Sequence, residues 1–216
     1  MVRRLEGTYG FSRRPVQLSG PRTVIAAALE GETEQGYLTG AQQKHRFWVT
    51  LRPKVYQGHH GVGLIDNAIS HARKQATQFS GASVIPVAVY DIESADGASL
   101  VAATTAIEYG RAQGVRVFIN APTIERWFLL HHQPISMFAP SAEVLEKLHR
   151  AQSSANMPVY EKPGSQGFFN EMAELQEAAE ANCASHGHIS HQEVSIPCMC
   201  QLFDFLRSFK REDGQV

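Results

Sequence analysis

Long apolar runs are missing from this chain. No stretch approaches the roughly 20 consecutive apolar residues that span a bilayer, so no membrane partner is expected. Cysteine is scarce: Cys183, Cys198 and Cys200 form an odd set late in the sequence. They make no disulfide framework, which excludes a small stapled secreted domain and points to a reduced, cytoplasmic protein. Net charge is nearly absent, with 20 Lys and Arg against 21 Asp and Glu and a formal value of -1. A globally basic nucleic-acid binder is disfavoured, although a sum hides local patches. No apolar run follows the arginines near Met1, so no secretory leader is expected. Repeats and low-complexity tracts are absent too.

What is present suits one substantial core: 43% of the 216 residues are hydrophobic. Residues 1–22 carry Arg3, Arg4, Arg13, Arg14 and Arg22 among Gly and Pro and read as a flexible basic lead-in. Residues 23–209 read as a single domain and 210–216 as a tail. The run Thr23–Leu29 suits a strand covered on both faces. A helix is expected from the acidic residues 30–34 toward Lys44, then a strand Phe47–Leu51 ended by Pro53. After the glycine-rich loop Gln57–Gly63, apolar residues recur at helical spacing from Leu64 to Ala72. Ser83–Tyr90 is another strand, with Pro86 at a bulge or just ahead of its start. A helix through Leu100, Thr104, Ile107 and Arg111 closes at Gly114. Strand Val115–Ile119 and helix Ile124–His132 follow. This alternation predicts an α/β fold, a parallel sheet flanked by helices. From about residue 133 the chain reads as helical, with helices at Ser141–Gln152, Phe168–Cys183 and Cys198–Phe209.

In a parallel sheet, functional groups collect at the carboxyl ends of the strands. Glu30, Glu32 and Glu34 follow the first strand, Asp91, Glu93 and Asp96 follow the one ending at Tyr90, and Glu125 lies past the one ending at Ile119. Carboxylates from neighbouring ends can meet at one hard cation such as Mg²⁺, which prefers oxygen ligands. Glu32 and Glu34 also suit the first turn of a helix, where they complement its dipole, and acidic residues suit exposed loops. The pattern leaves both accounts open.

Several segments together resemble the RloB-like family, a Toprim-containing group linked to bacterial abortive-infection and restriction loci. They are Glu30-Gly31-x-Thr33-Glu34-x-x-Tyr37, Val89-Tyr90-Asp91-Ile92-Glu93, and the block Pro122 to His131 with Glu125 and Trp127. Tyr160-Glu161-Lys162 and the stretch Ile196 to Leu206 complete the set. The resemblance covers about residues 23–209, and the order and spacing of the motifs carry it. It implies a Toprim-like, Rossmann-like fold and a Mg²⁺- or Mn²⁺-dependent site. Glu30 would be general acid/base or ligand, Asp91 a ligand, Glu93 the second acidic member of an Asp-x-Asp pair, and Glu34 a further metal position. Glu125 and Lys162 would be accessory, Lys162 meeting phosphate charge. Two departures stand out. Glu93 replaces the usual Asp, and Ala121 occupies the family's usual Asn position, with Asn120 adjacent.

The resemblance implies a nuclease acting in antiphage defence on RNA or DNA, with a partner ATPase that controls it; a homo-oligomer is compatible with it. Two other readings use the same residues: a metal-dependent enzyme acting on ATP or a signalling nucleotide, and a non-catalytic nucleotide-binding or assembly module. His59 and His60 read as solvent-exposed, His131 as packed, and Trp48 and Trp127 as core. Cys183, His186, His188 and His191 with Cys198 and Cys200 resemble a soft-metal set. They lack the paired Cys-x-x-Cys spacing of zinc sites, so no zinc site is assigned.

Overall fold

A continuously apolar hexapeptide needs cover on both faces, and Val24–Leu29 (β1) has it: all six residues are buried. The computed structural model describes residues 23–94, 96–136, 138–185, 189–191 and 194–209. The lead-in 1–22 and the tail 210–216 lie outside the described residues. After β1 come α1 (Glu32–His45), β2 (Thr50–Val55), α2 (Gly61–Gln78), β3 (Val84–Asp91), α3 (Gly97–Ala112), β4 (Arg116–Asn120) and α4 (Ile124–Leu130). The later part adds α5 (Ser141–Ser154), α6 (Gln166–Glu174), α7 (Gln176–Ser185), β5 (Ile189–His191), β6 (Val194–Ile196) and α8 (Met199–Ser208).

Strands β1 to β4 form one parallel sheet in the order β2-β1-β3-β4. This is the parallel α/β sheet that the alternating pattern predicts, in the Rossmann-like arrangement that the resemblance implies. Side chains alternate across it. Ile25, Ala27, Leu29, Val87 and Val89 join a core with α1, α4 and the later helices. Ala28, Ala88 and Tyr90 join a second core with α2 and α3. On the first face α1 and α6 pack closely, for a Cβ at Gly36 would lie 2.1 Å from the Phe169 ring and one at Gly40 3.3 Å from its Cβ. Among the described residues, no helix is long and apolar enough to cross a membrane.

Four details differ from the sequence reading. Strand β2 begins at Thr50 and runs through Pro53, which pairs with Ala27. As β2 lies at the sheet edge, a missing N–H is tolerated there. Because the strand starts late, Trp48 falls in the connection and is 62% exposed, while neighbouring Val49 packs in the core. Pro86 sits within β3 in regular register with Ala26, but β4 joins only from Val87, so one side of β3 is still an edge at the proline. The expected helix Phe168–Cys183 is two, α6 and α7, divided at Leu175. The antiparallel pair β5 and β6 was not expected, and three-residue strands carry too little pattern to be read.

Candidate active site

The order β2-β1-β3-β4 contains a reversal. The chain leaves β1 outward to β2, then returns past β1 to β3. Beyond the carboxyl ends of β1 and β3 such a reversal makes the connections diverge, which in folds of this kind forms the crevice that takes ligands. Glu30 and Asp91 stand at those two ends, side by side. The Glu30 N–H donates to Val89 O at 3.3 Å, and the Asp91 N–H donates to Glu30 Oε2 at 3.1 Å.

Asp91 is fixed by two further donors. Asn120 Nδ2, at the end of β4, donates to Oδ1 at 2.9 Å, and the Ile124 N–H donates to Oδ2 at 3.3 Å. The next residue, Glu125, is 7% exposed. Its Oε1 accepts from Tyr160 Oη at 3.0 Å and lies 3.8 Å from Lys162 Nζ. The Tyr160 hydroxyl is also 3.4 Å from Thr33 Oγ1, which joins this arm to the first turn of α1. Glu34 sits in that same turn, 4% exposed. Its Oε2 folds back over Gly31, where a Cβ would lie 2.8 Å away. Any side chain at position 31 would therefore displace this carboxylate.

The charges crowd one another. Burial, then Glu30 and Glu125, push Glu34 up to about 7 against the opposing effects of its own N–H and Lys162. Asp91 is raised well above the usual carboxylate range, first by burial and then by Glu34, with Glu125 and Glu30 adding and Asn120 opposing. Removing water from like charges favours their protonated forms. A divalent cation would relieve the same stress, and the donors are the hard oxygens that Mg²⁺ or Mn²⁺ takes. Among the described residues, no three of these carboxylates bring oxygens within 4.8 Å of one another. That spread suits an ion that keeps several waters and shares its shell with phosphate oxygens, rather than one caged by protein.

Of the six residues singled out in the sequence, five converge here: Glu30, Glu34, Asp91, Glu125 and Lys162. Glu93 does not join them. Strand β3 ends at Asp91, and Glu93 adopts a left-handed backbone with φ of 56°. Its contacts among the described residues run through the main chain: its N–H donates to Pro122 O at 2.8 Å and its carbonyl accepts from Ser141 Oγ at 3.3 Å. Its side chain is exposed. Asn120 and Tyr160 belong to the site although neither was assigned a role. The available signal for Asn120 was its place beside Ala121, where the resembled motif carries an Asn. Tyr160 stood in the motif that pointed to Lys162.

Elsewhere, His59 and His60 are exposed as expected. His131 is buried behind the site. Its Nδ1–H donates to Trp127 O at 2.8 Å, leaving Nε2 to accept from Tyr37 Oη at 3.1 Å. Burial lowers this imidazole to about 3, so it is neutral at ordinary pH. A family model described as "RloB-like protein" matches residues 25–202. No curated protein and no solved structure matches the chain.

Proposed function

The chain belongs to the RloB-like family, and from that premise we propose that it is a Mg²⁺- or Mn²⁺-dependent Toprim-type nuclease, hydrolysing RNA or DNA phosphodiesters as an effector of antiphage defence. One observation carries the reading. Buried Glu34 and partly buried Asp91 share the β1/β3 crevice with Glu30 and Glu125, and the cation beside them is the exposed Lys162. Such a set stays ionised at neutral pH when a metal ion neutralises it.

Glu30, Glu34 and Asp91 would hold the ion, with Asn120 and the Ile124 N–H fixing the orientation of Asp91. The ion would polarise a phosphate oxygen and acidify a water molecule. Glu30 is partly exposed at the strand end, and as a general base or acid it would take or return a proton at its carboxylate. Lys162 is 70% exposed and brings an ammonium group to the mouth of the crevice, where it would offset phosphate charge. Tyr160 holds Glu125 beside that lysine. Glu93, turned to solvent, is given no ligand role.

The family resemblance further supports control by a partner ATPase. A net charge of -1 suits an effector that does not bind nucleic acid indiscriminately. The test incubates the purified chain, alone and with its partner, with labelled RNA, DNA and nucleotides, with and without Mg²⁺ or Mn²⁺. Metal-dependent cleavage of a polynucleotide that is lost in Glu30→Ala and Asp91→Ala, with both variants folded, is the expected result. Full activity in both variants, or turnover of mononucleotides alone, would overturn the reading.

A further inference from the structure

Cys183 meets the neighbouring pair Cys198 and Cys200 in space. Cys183 near the end of α7 lies 3.2 Å from Cys200 Sγ and 3.7 Å from Cys198 Sγ, and the last two are 3.1 Å apart. No disulfide joins them. Among the described residues, this is the one set of three or more ligand groups whose donor atoms lie within 4.8 Å of one another. The size of the triangle is informative. A point about 1.2 Å off its plane lies about 2.3 Å from all three sulfurs, the zinc–thiolate distance.

A second observation concerns charge. Arg126 on α4 is 6% exposed and has no carboxylate partner among the described residues. Its Nη2 donates to Ile135 O at 3.2 Å, while its Nε meets no acceptor among those residues. The ionisable groups within electrostatic reach of this guanidinium are the three sulfurs, which would offset its charge only as thiolates. Neutral thiols leave a buried cation uncompensated, which is costly. Three thiolates around a dication carry one net negative charge, which matches it. The first turn of α8 adds to this, because Cys198 is its N-cap and Cys200 follows two residues later, at the positive end of the helix dipole.

We propose that Cys183, Cys198 and Cys200 bind one soft divalent cation, with zinc as the expected ion, clamping the end of α7 to the start of α8 against α4. Binding releases the thiol protons to solvent, and a fourth position on the ion is left to water or another donor. The clamp has a structural purpose. Pro197, just before Cys198, accepts from the Ile119 N–H at 2.7 Å on β4, and the neighbouring Asn120 holds Asp91. The sulfur cluster thereby braces the strand end that shapes the carboxylate crevice.

The test uses the full chain, purified in reductant without chelator. Elemental analysis should find about one zinc per chain, and reloading with Co²⁺ should give a sulfur-to-metal charge-transfer band. That band reports thiolates alone, so ion binding at the carboxylates cannot mimic it, and Asp91→Ala should leave it unchanged. Each single change, Cys183→Ser, Cys198→Ser or Cys200→Ser, should weaken the band by about a third or abolish it. Should these variants fail to fold, the wild-type chain still decides. Its three thiols should resist a thiol reagent until a chelator is added, with a lower melting temperature after chelation. Three thiols that react freely despite added zinc, a disulfide among them, or full zinc content in the triple serine variant would each overturn the proposal.

Discussion

Consecutive residues of α4 reach two different clusters. Glu125 joins the carboxylates at the strand ends, and Arg126 lies within electrostatic reach of the three sulfurs of α7 and α8. The oxygens are spread out, each steered by its own donor, and the exposed Lys162 stands at their edge. The sulfurs are drawn within 3.1 to 3.7 Å of one another. A spread set leaves room for water and substrate around an ion, whereas a tight one encloses it. On the proposed readings, the contrast separates a site open to substrate from one closed around its ion.

The largest expected effect breaks one side of this contrast alone. Asp91→Ala should lower metal-dependent cleavage by about a thousandfold or more, because it removes a central ligand. Circular dichroism and cysteine reactivity should remain as in the wild type. Asn120→Ala removes only the donor that orients Asp91, and should weaken Mn²⁺ binding by about 10- to 100-fold in calorimetry. An equal loss in both variants would mean that orientation matters as much as ligation.

Proton competition gives a smaller, graded effect. With Glu34 raised to about 7 and Asp91 raised as well, metal affinity should fall by about tenfold or more per pH unit below 7. In the metal-free protein the sign reverses. A carboxyl whose folded value is raised contributes stability at low pH and loses it as pH rises from about 4.5 through 7. His131 acts oppositely: its lowered value contributes stability above about 6.5 that is lost as pH falls toward 3. The informative quantity is therefore the difference between wild type and Glu34→Gln, in denaturant melts without metal. The variant should gain on the wild type between pH 5 and 8, by about 3 kcal/mol at most. Smallest of all, Tyr160→Phe deletes one hydrogen bond to Glu125, worth about 1 kcal/mol, and should cut cleavage about fivefold while the thiols stay protected.

The sheet was legible because its strands are short apolar runs separated by helices, a pattern with few alternatives. The carboxylate site was largely legible for a related reason, since strand ends locate functional groups in such sheets. Glu93 shows where that reasoning stops. Two residues after Asp91, it would share a face with it if β3 continued, but the strand ends at Asp91 and the left-handed turn at Glu93 sends the side chain to solvent. The sulfur triangle was illegible for a different reason. Cys198 comes fifteen positions after Cys183, and their meeting depends on how α7 and α8 dock. His186 and His188, grouped with them in the sequence, lie outside the described residues, as does the His191 side chain.

The fit of Phe169 against Gly36 and Gly40 has a bearing on protein engineering. Residues from near the far end of the chain set how deeply α1 lies on the sheet, and the first turn of α1 carries Glu34. The strand-rich first half is therefore a poor candidate for transplanting the acidic site as a minimal unit. Shortening the protein after α4 would remove the Phe169 ring against which this helix packs, and with it one support of the turn that carries Glu34.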